Sequence, residues 1–150
     1  MIEGVKVVPL MQIPDERGTV MHMLKRTDPH FIQFGEIYFT TVHPGVVKGW
    51  HKHQRMTLNY ACVYGRIKLV LFDDREDSAT RGEVMELFLG PDDYQLVQIP
   101  TNVWNSFKGL GEETSIIANC ATEPHTKEFT ASSDPFDSPI PYDWGKETMD

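Results

Sequence analysis

The chain has 150 residues, 40% of them hydrophobic, and a net charge of −8 at pH 7, a composition typical of one globular domain. No apolar run approaches the roughly 20 residues of a membrane span, and the acidic balance argues against nucleic acid as a partner. We therefore expect one soluble domain over residues 1–150. Residues 1–6 contain no apolar signal region, so we expect a cytoplasmic location.

Short apolar runs alternate with turn residues along the chain, which predicts an all-β sandwich or barrel. In chain order the runs are 5–11, 18–24, 36–42, 58–64, 67–72, 84–89, 94–99, 103–108 and 114–120. The best helix candidate is short, spans residues 28–34 and opens with an Asp-Pro pair. The tail from Ser132 is rich in proline and aromatic residues, so we expect it to wrap the barrel as irregular structure. The fold class predicted is an all-β jelly roll.

Two histidines, His51 and His53, lie two residues apart in segment 45–53, which otherwise alternates like a strand. Residues two apart in a strand share a face, so both imidazoles point into one pocket if that face is the barrel interior. Acid–base catalysis, metal binding and ordinary packing are the three interpretations. Histidine titrates near neutral pH and suits the first. Two histidines without further ligands make a poor zinc or iron site, so we expect no metal and no cofactor.

Basic residues cluster beside these histidines in an otherwise acidic protein. Lys48, Lys52 and Arg55 all fall within a few residues of the pair. A local positive patch suits a small anionic ligand such as a diphosphate. A charged loop that is merely solvated is the alternative.

The segments around the histidines and around 99–105 resemble the paired motifs of a cupin barrel. Most of the chain resembles the dTDP-4-dehydrorhamnose 3,5-epimerase family. The resemblance rests on Asp15-Glu16-Arg17-Gly18, on 45–51, on 99–107, on Asp134-Pro135 and on 140–144. It implies that His51 is the catalytic base and that Asp134 orients it. It also implies that Arg17 meets the nucleotide diphosphate, while Lys48 takes the position of a phosphate-gripping arginine.

The same resemblance shows departures from that family's pattern. Its enolate-stabilising lysine falls at Leu58, its acid tyrosine near Ala118 and its late histidine at Asn105. A slip of one or two residues in the alignment brings Asn119 or Tyr60 into consideration instead. The dTDP-sugar 3,4-ketoisomerases share the His-x-His pair and a later Ile-Pro-x-x-x-Trp strand. In that arrangement His53 serves as a second proton carrier.

Several other side chains are candidates for substrate binding. Asn105 offers an amide to a sugar hydroxyl or carbonyl, or it caps a strand end. Trp104 stacks on a base or sugar, or it packs in the core. Tyr60 is a reserve acid, with Tyr38 and Tyr64 as further tyrosines in strand-like runs.

These residues together predict an epimerase or isomerase acting on a nucleotide-diphosphate-linked 4-keto-sugar. The predicted setting is surface polysaccharide, lipopolysaccharide or deoxysugar biosynthesis, and we expect a homodimer paired through sheet extension. A sugar-nucleotide-binding cupin without turnover is the first alternative. A metal-dependent cupin enzyme is the second.

Overall fold

The computed structural model describes residues 1–145, and its regular secondary structure consists almost entirely of antiparallel strands. The strands are β1 Lys6–Pro9, β2 Gln12–Asp15, β3 Gly18–Met21, β4 Glu36–Val42, β5 Val47–His53, β6 Leu58–Tyr64, β7 Ile67–Asp73, β8 Val84–Leu89, β9 Gln95–Ile99, β10 Val103–Gly109, β11 Ser115–Ala121 and β12 Thr130–Ser132. A short 3₁₀ helix, Lys127–Phe129, precedes β12. Nine of these strands overlap the apolar runs of the sequence, whereas β2, β5 and β12 lack such a run because their residues are mostly polar or exposed.

Two five-stranded sheets form the barrel. The first has the order β1-β9-β6-β11-β4, and the second has the order β12-β5-β10-β7-β8. The hairpin of β2 and β3 forms a separate two-stranded sheet. Most neighbouring strands in each sheet are distant in sequence, which is typical of a jelly roll. The predicted all-β fold is confirmed.

Apolar side chains from both sheets meet in one core. Leu58 and Ile99 of the first sheet pack with Leu69 and Leu71 of the second, and each is at most 1% exposed. Since every second strand residue points inward, the opposite faces remain available for other contacts. The cavity described below lies beside this core, where polar side chains replace the apolar ones.

The tail covers the outer face of the second sheet. Trp50 and Val70, on β5 and β7, are fully buried against Ile140 and Trp144 of the tail. The indole Nε1 of Trp144 also donates a hydrogen bond to Ser106 Oγ at 2.9 Å. Up to residue 145 the tail therefore wraps the barrel as irregular structure, as its composition predicts, and residues 146–150 lie outside the described range.

The helix predicted over residues 28–34 is wrong. The segment forms turns followed by chain without regular secondary structure. The Gln33 side chain donates to the Thr122 carbonyl at 2.8 Å, and the backbone N–H of Gly35 donates to the Ala121 carbonyl at 2.8 Å. Seven residues are too few to form a stable helix by themselves, so these bonds to the end of β11 decide the conformation. Among residues 1–145 no helix has both the length and the apolarity to cross a bilayer.

Gly49 allows β5 to lie close against β10 immediately before the histidines. Its φ is +123°, and a Cβ at this position would approach Ser106 Cβ to 2.7 Å. Residues other than glycine rarely adopt this φ, and the neighbouring strand leaves no room for a side chain. Glycine at this position thus permits the register that places Asn105 opposite His51.

Candidate active site

A cavity of about 410 Å³ opens between the two sheets and contains both histidines of the sequence motif. Its walls come from β4, β5, β6, β10 and β11 and from the loop before the 3₁₀ helix. The lining side chains are Glu36, Tyr38, Thr40, Lys48, His51, His53, Tyr60, Phe107, Ile117, Asn119 and His125. Such a partly apolar cleft with convergent polar groups is typical of a small-molecule site.

The short strand β12 supplies a hydroxyl partner to each histidine. It pairs with β5 so that Ser132 lies opposite His51 and Thr130 opposite His53. His51 Nδ1 lies 3.3 Å from Ser132 Oγ, and His53 Nδ1 lies 3.1 Å from Thr130 Oγ1. The pairing therefore fixes both imidazole rings through their Nδ1 atoms and leaves both Nε2 atoms for other contacts.

The hydrogen bonds of Thr130 also fix the tautomer of His53. The Thr130 hydroxyl donates its proton to the Thr126 carbonyl at 2.9 Å, so towards His53 it acts as an acceptor. His53 Nδ1 therefore carries the proton in the neutral ring, and Nε2 carries the lone pair. Burial, assisted by the positive charges of His51 and His125, lowers the pKa of His53 to about 4. His53 is neutral at physiological pH.

His51 is more accessible and remains a base. Burial lowers its pKa from the ordinary value, and the neighbouring charges of His125 and Lys48 lower it further. A lowered imidazole pKa keeps the ring unprotonated near neutral pH, the state in which it can accept a proton. The geometry and the charge state of His51 both suit general-base chemistry.

His125 is a cavity residue that the sequence analysis missed. It lies in the loop after β11, and its ring centroid is 6.1 Å from that of His53 in an edge-on arrangement. It also lines an adjoining cavity of about 240 Å³, which shares His53 with the first. No motif spacing relates residue 125 to residues 51 and 53, so only the folded chain shows this third histidine.

Asp134 lies in a different place from the one expected for an orienter of His51. Its carboxylate accepts the backbone N–H of Phe136 at 2.8 Å, within the turn that follows β12. Ser132, two residues earlier, is the partner that the structure gives to His51. The strand register explains the difference, because Ser132 is the residue that pairs directly with His51.

Three of the basic residues expected at the diphosphate occupy three different places. Lys48 lines the main cavity, with Nζ donating to Thr40 Oγ1 at 3.3 Å and to the Thr41 carbonyl at 3.0 Å. Arg55 lines the adjoining cavity and stacks over the Phe129 ring at 3.6 Å. Arg17 lies on the β2–β3 hairpin, outside both cavities, with its side chain 83% exposed and paired with Asp15 at 2.7 Å.

Trp104 lies outside the cavity as well. Its indole Nε1 donates to Asp74 Oδ2 at 2.9 Å, and Lys52 Nζ lies 4.9 Å from its ring centroid. The alternation of β10 accounts for this, because the neighbouring Asn105 is the residue that points inward. The packing interpretation of Trp104 therefore fits the structure better than stacking on a ligand.

Asn105 and Tyr60 form a buried pair behind the histidines. Tyr60 donates its hydroxyl proton to Asn105 Oδ1 at 3.2 Å, and Asn105 Nδ2 donates to the His51 carbonyl at 3.2 Å. Asn105 is 1% exposed and does not line the cavity, whereas Tyr60 does. Burial raises the pKa of Tyr60 above its ordinary value. This pair supports the backbone of the histidine strand.

Neither of the two positions at which the expected lysine and tyrosine are replaced lines the cavity. Leu58 lies in the apolar core, and Ala118 is buried without lining the site. Asn119, one residue further along β11, is the residue that points inward, and Tyr38 of β4 lies beside it. Tyr38 and Asn119 therefore contribute polar groups to this wall of the cavity. The alternation of β4 and β11 is the sequence signal that locates them.

Within residues 1–145 no group of three or more histidine, cysteine or acidic side chains has an arrangement that would hold a metal ion. The oxygen atoms hydrogen-bonded to the two histidine rings belong to hydroxyl groups, which are weak ligands for zinc or iron.

Comparison with protein families gives a match over the whole chain. The model described as dTDP-4-dehydrorhamnose 3,5-epimerase matches residues 1–150. A "probable low-salt glycan biosynthesis epimerase Agl13" from Haloferax volcanii is 34% identical over 144 residues, which cover 95% of this chain and 89% of the relative. The spore coat polysaccharide biosynthesis protein SpsL from Bacillus subtilis is 32% identical over 149 residues, covering 99% of this chain and 94% of the relative.

A solved structure agrees with these matches. The crystal structure of a dTDP sugar isomerase from Desulfovibrio desulfuricans G20 superposes with a TM-score of 0.94 and 42% sequence identity. The superposition covers 99% of this chain and 95% of that one. The likeness extends over both sheets and the tail, and so includes every wall of the cavity.

Proposed function

Because this chain belongs to the dTDP-4-dehydrorhamnose 3,5-epimerase family, we propose that it isomerises a nucleotide-diphosphate-linked 4-keto-sugar by removing a proton beside the keto group. The chain is an enzyme of the isomerase class, as the family and the relatives show. The observation that supports the proposed mechanism is that His51 lines a cavity large enough for a hexose, where burial lowers its pKa.

His51 is the proposed base. A hydrogen on the carbon beside a carbonyl is acidic, because the electron pair left behind moves onto the carbonyl oxygen as an enolate. His51 accepts that proton on Nε2, since Ser132 contacts its Nδ1. His53 lies on the same wall with its Nε2 lone pair free of the Thr130 contact, which suits a second proton carrier.

The positions of the basic residues suggest how the substrate lies. Lys48 lines the main cavity, and Arg55 lines the adjoining one, which is reached past His53 and His125. We place the keto-sugar in the main cavity and the diphosphate towards Arg55, where a guanidinium can form paired hydrogen bonds to phosphate oxygens. Lys48 contributes a point charge at the sugar end.

Arg17 fits this scheme only through a second copy of the chain. Within one subunit it lies outside both cavities, on a hairpin whose residues Ile13 and Val20 are about half exposed. We propose a homodimer of single-domain subunits that pair through the β4 edge of the first sheet, so that the hairpin contacts the neighbouring barrel. Cytoplasmic location and lipopolysaccharide biosynthesis stay predictions of the sequence.

The test is proton NMR of a dTDP-4-keto-6-deoxyhexose incubated with the protein in deuterated water. We expect deuterium to enter at C3 or C5, together with new signals from the isomerised sugar. His51→Asn should slow this exchange about 10²–10⁴-fold, the usual contribution of a general base. His22→Asn, outside the cavity, is the matched control and should exchange at the wild-type rate.

Two outcomes would contradict the proposal. Saturable nucleotide-sugar binding without exchange would favour the alternative of a binding protein without turnover. That alternative has a physical basis, because Leu58 lies in the apolar core at the position expected for the enolate-stabilising lysine. Unchanged exchange in His51→Asn would assign the base to another residue.

A further inference from the structure

Two tyrosines line the cavity, and their hydroxyl groups have opposite hydrogen-bond polarity. Tyr60 donates its proton to Asn105 Oδ1. Asn105 cannot reverse this arrangement, because its amide nitrogen is engaged with the His51 carbonyl. The only proton on the Tyr60 hydroxyl is thereby committed to a buried partner and is withdrawn from the cavity.

Tyr38 has the reverse arrangement. Its hydroxyl oxygen accepts a hydrogen bond from Asn119 Nδ2 at 2.9 Å. The amide of Asn119 is fixed in this orientation, since its Oδ1 accepts the backbone N–H of Asn59 at 3.0 Å. Among residues 1–145 the structure shows no acceptor for the Tyr38 proton. That proton therefore remains available to a molecule in the cavity.

A chain of buried amides holds Asn119 in place. The Asn59 side chain donates to the Cys120 carbonyl at 2.9 Å and accepts from Gln98 Nε2 at 2.9 Å. Gln98 in turn donates to the His30 carbonyl at 2.8 Å. Each of these three amide side chains is fixed by at least two hydrogen bonds. The orientation of each amide, and so the direction of each hydrogen bond, is therefore set. The Tyr38 hydroxyl lies at the end of the network that faces the cavity.

The two sheets place Tyr38 and His51 on opposing walls. Tyr38 belongs to β4 in the first sheet, and His51 belongs to β5 in the second. Both side chains line the same cavity. Inversion at a carbon requires a proton to leave from one face and another to arrive at the opposite face. A donor and a base on facing sheets meet this requirement, whereas two groups on one strand do not.

We propose that Tyr38 is the proton donor of this isomerase and that Asn119 is the residue that positions its hydroxyl. The inference rests on the proposed function. His51 takes the proton from the carbon beside the keto group, and the electron pair of that bond becomes the enolate. The re-forming carbonyl returns the pair to the carbon, which takes the Tyr38 proton on the opposite face. His51 is left protonated and Tyr38 deprotonated, and exchange with water restores both.

The environment of Tyr38 is consistent with a donor role. Burial raises its pKa, the hydrogen bond from Asn119 opposes that rise, and the charge of Glu36 adds to it. The phenol is therefore protonated before reaction. The Asn119 N–H then stabilises the phenolate formed after transfer, because a donor hydrogen bond favours the charged form of its acceptor.

Tyr38→Phe in deuterated water tests the proposal. The variant keeps the ring and removes only the hydroxyl. We expect inverted product to fall about 10²–10⁴-fold, while deuterium still enters the recovered substrate, because His51 can return a solvent-derived proton to the same face. Tyr64→Phe, at an exposed position outside the cavity, is the matched control and should retain wild-type product formation.

Asn119→Asp is the second variant. Its carboxylate keeps an acceptor for the Asn59 N–H but accepts, rather than donates, towards Tyr38, and so draws the phenol proton away from the cavity. We expect the same separation, with product lost and exchange into substrate retained. Circular dichroism and binding of dTDP establish that each variant is folded.

The outcomes separate this inference from the proposed function. Wild-type product formation in Tyr38→Phe would overturn the role of Tyr38. Loss of exchange together with product in a variant that still binds dTDP would also overturn it, by placing Tyr38 in the first step. Absence of exchange in the wild-type protein would overturn the proposed function itself, and this inference with it.

Discussion

Individual hydrogen bonds determine the charge and the proton positions in the cavity. Thr130 fixes the proton of His53 on Nδ1, and burial keeps the ring neutral. Asn105 and Asn119 are both buried asparagines that contact a tyrosine hydroxyl. Asn105 accepts the hydroxyl proton of Tyr60, whereas Asn119 donates a hydrogen bond to the hydroxyl oxygen of Tyr38. Residue identity alone therefore does not reveal which tyrosine can act as an acid. The atoms that each asparagine amide already satisfies decide it.

His53 makes folding stability depend on pH in a defined range. Its pKa is about 4 in the folded chain, against an ordinary value of 6.5, so the unfolded chain binds this proton first on acidification. Stability from this group is complete above pH 6.5 and falls as the pH drops from 6.5 to 4. Because the open cavity screens part of the effect, we expect a loss of roughly 1–3 kcal/mol.

Urea unfolding at pH 7 and at pH 4.5 measures this effect. The difference in free energy of unfolding between the two pH values should be smaller in His53→Gln than in the wild-type protein, since glutamine does not titrate. Equal differences in the two proteins would contradict the assignment.

The sequence predicts some of the site residues because local periodicity is sufficient for them. His51 and His53 share a face since they are two residues apart in a strand, and the cavity contains both. Ser132 and His125 were missed because each lies more than 70 residues from the histidine that it contacts. Strand pairing brings Ser132 to His51, and a loop brings His125 to His53, and no local pattern encodes either contact. For the same reason the orienting role expected of Asp134 has no counterpart in the contacts of His51.

At the scale of elements, β5 is the strand whose surroundings create the site. It pairs with β10 on one side and with β12 on the other, and the tail covers its outer face. Nine of the strands were predictable from apolar runs between turn residues, and β5 from the alternation around its histidines. β12 was not predictable, because three mostly polar residues carry no strand signal and their pairing partner β5 lies about 80 residues earlier in the sequence.

Removing the tail anchor should destabilise this strand. Trp144 is 3% exposed and packs with Trp50 on the outer face of β5, so Trp144→Ala should cost about 3–5 kcal/mol in free energy of unfolding. Chemical denaturation measures the loss. Phe136→Ala, in the same tail but with an exposed ring, should change stability by less than about 1 kcal/mol. Similar losses in both variants would mean that the tail does not anchor through Trp144.

At the scale of the whole molecule, the edge of the first sheet is the surface best suited to pairing. β4 is one of the two edge strands of this sheet, and its outward side chains Ile37 and Phe39 are 50% and 65% exposed. Exposed apolar side chains on an edge strand favour association with another chain. Net charge of −8 opposes association in general, so the apolar edge is the surface at which burial can outweigh repulsion.

The proposed homodimer is tested by sedimentation of the wild-type protein and of Phe39→Glu. We expect the wild type to sediment as a dimer and Phe39→Glu to shift towards monomer, because the new carboxylates would be buried without partners. Phe136→Glu introduces the same charge at an equally exposed phenylalanine of the tail, and this variant should stay dimeric. A monomeric wild-type protein would reject the dimer.

The pairing of β12 with β5 has a consequence for the order in which the protein is made. A ribosome that has synthesised the chain as far as β11 has already produced His51 and His53, but neither Thr130 nor Ser132. The growing polypeptide thus holds two imidazoles whose hydroxyl partners do not yet exist. Both sheets can begin to collapse during translation, whereas the cavity acquires its proton-handling geometry at the very end. Chains released before residue 130 should therefore be inactive fragments that never acquire even slow turnover.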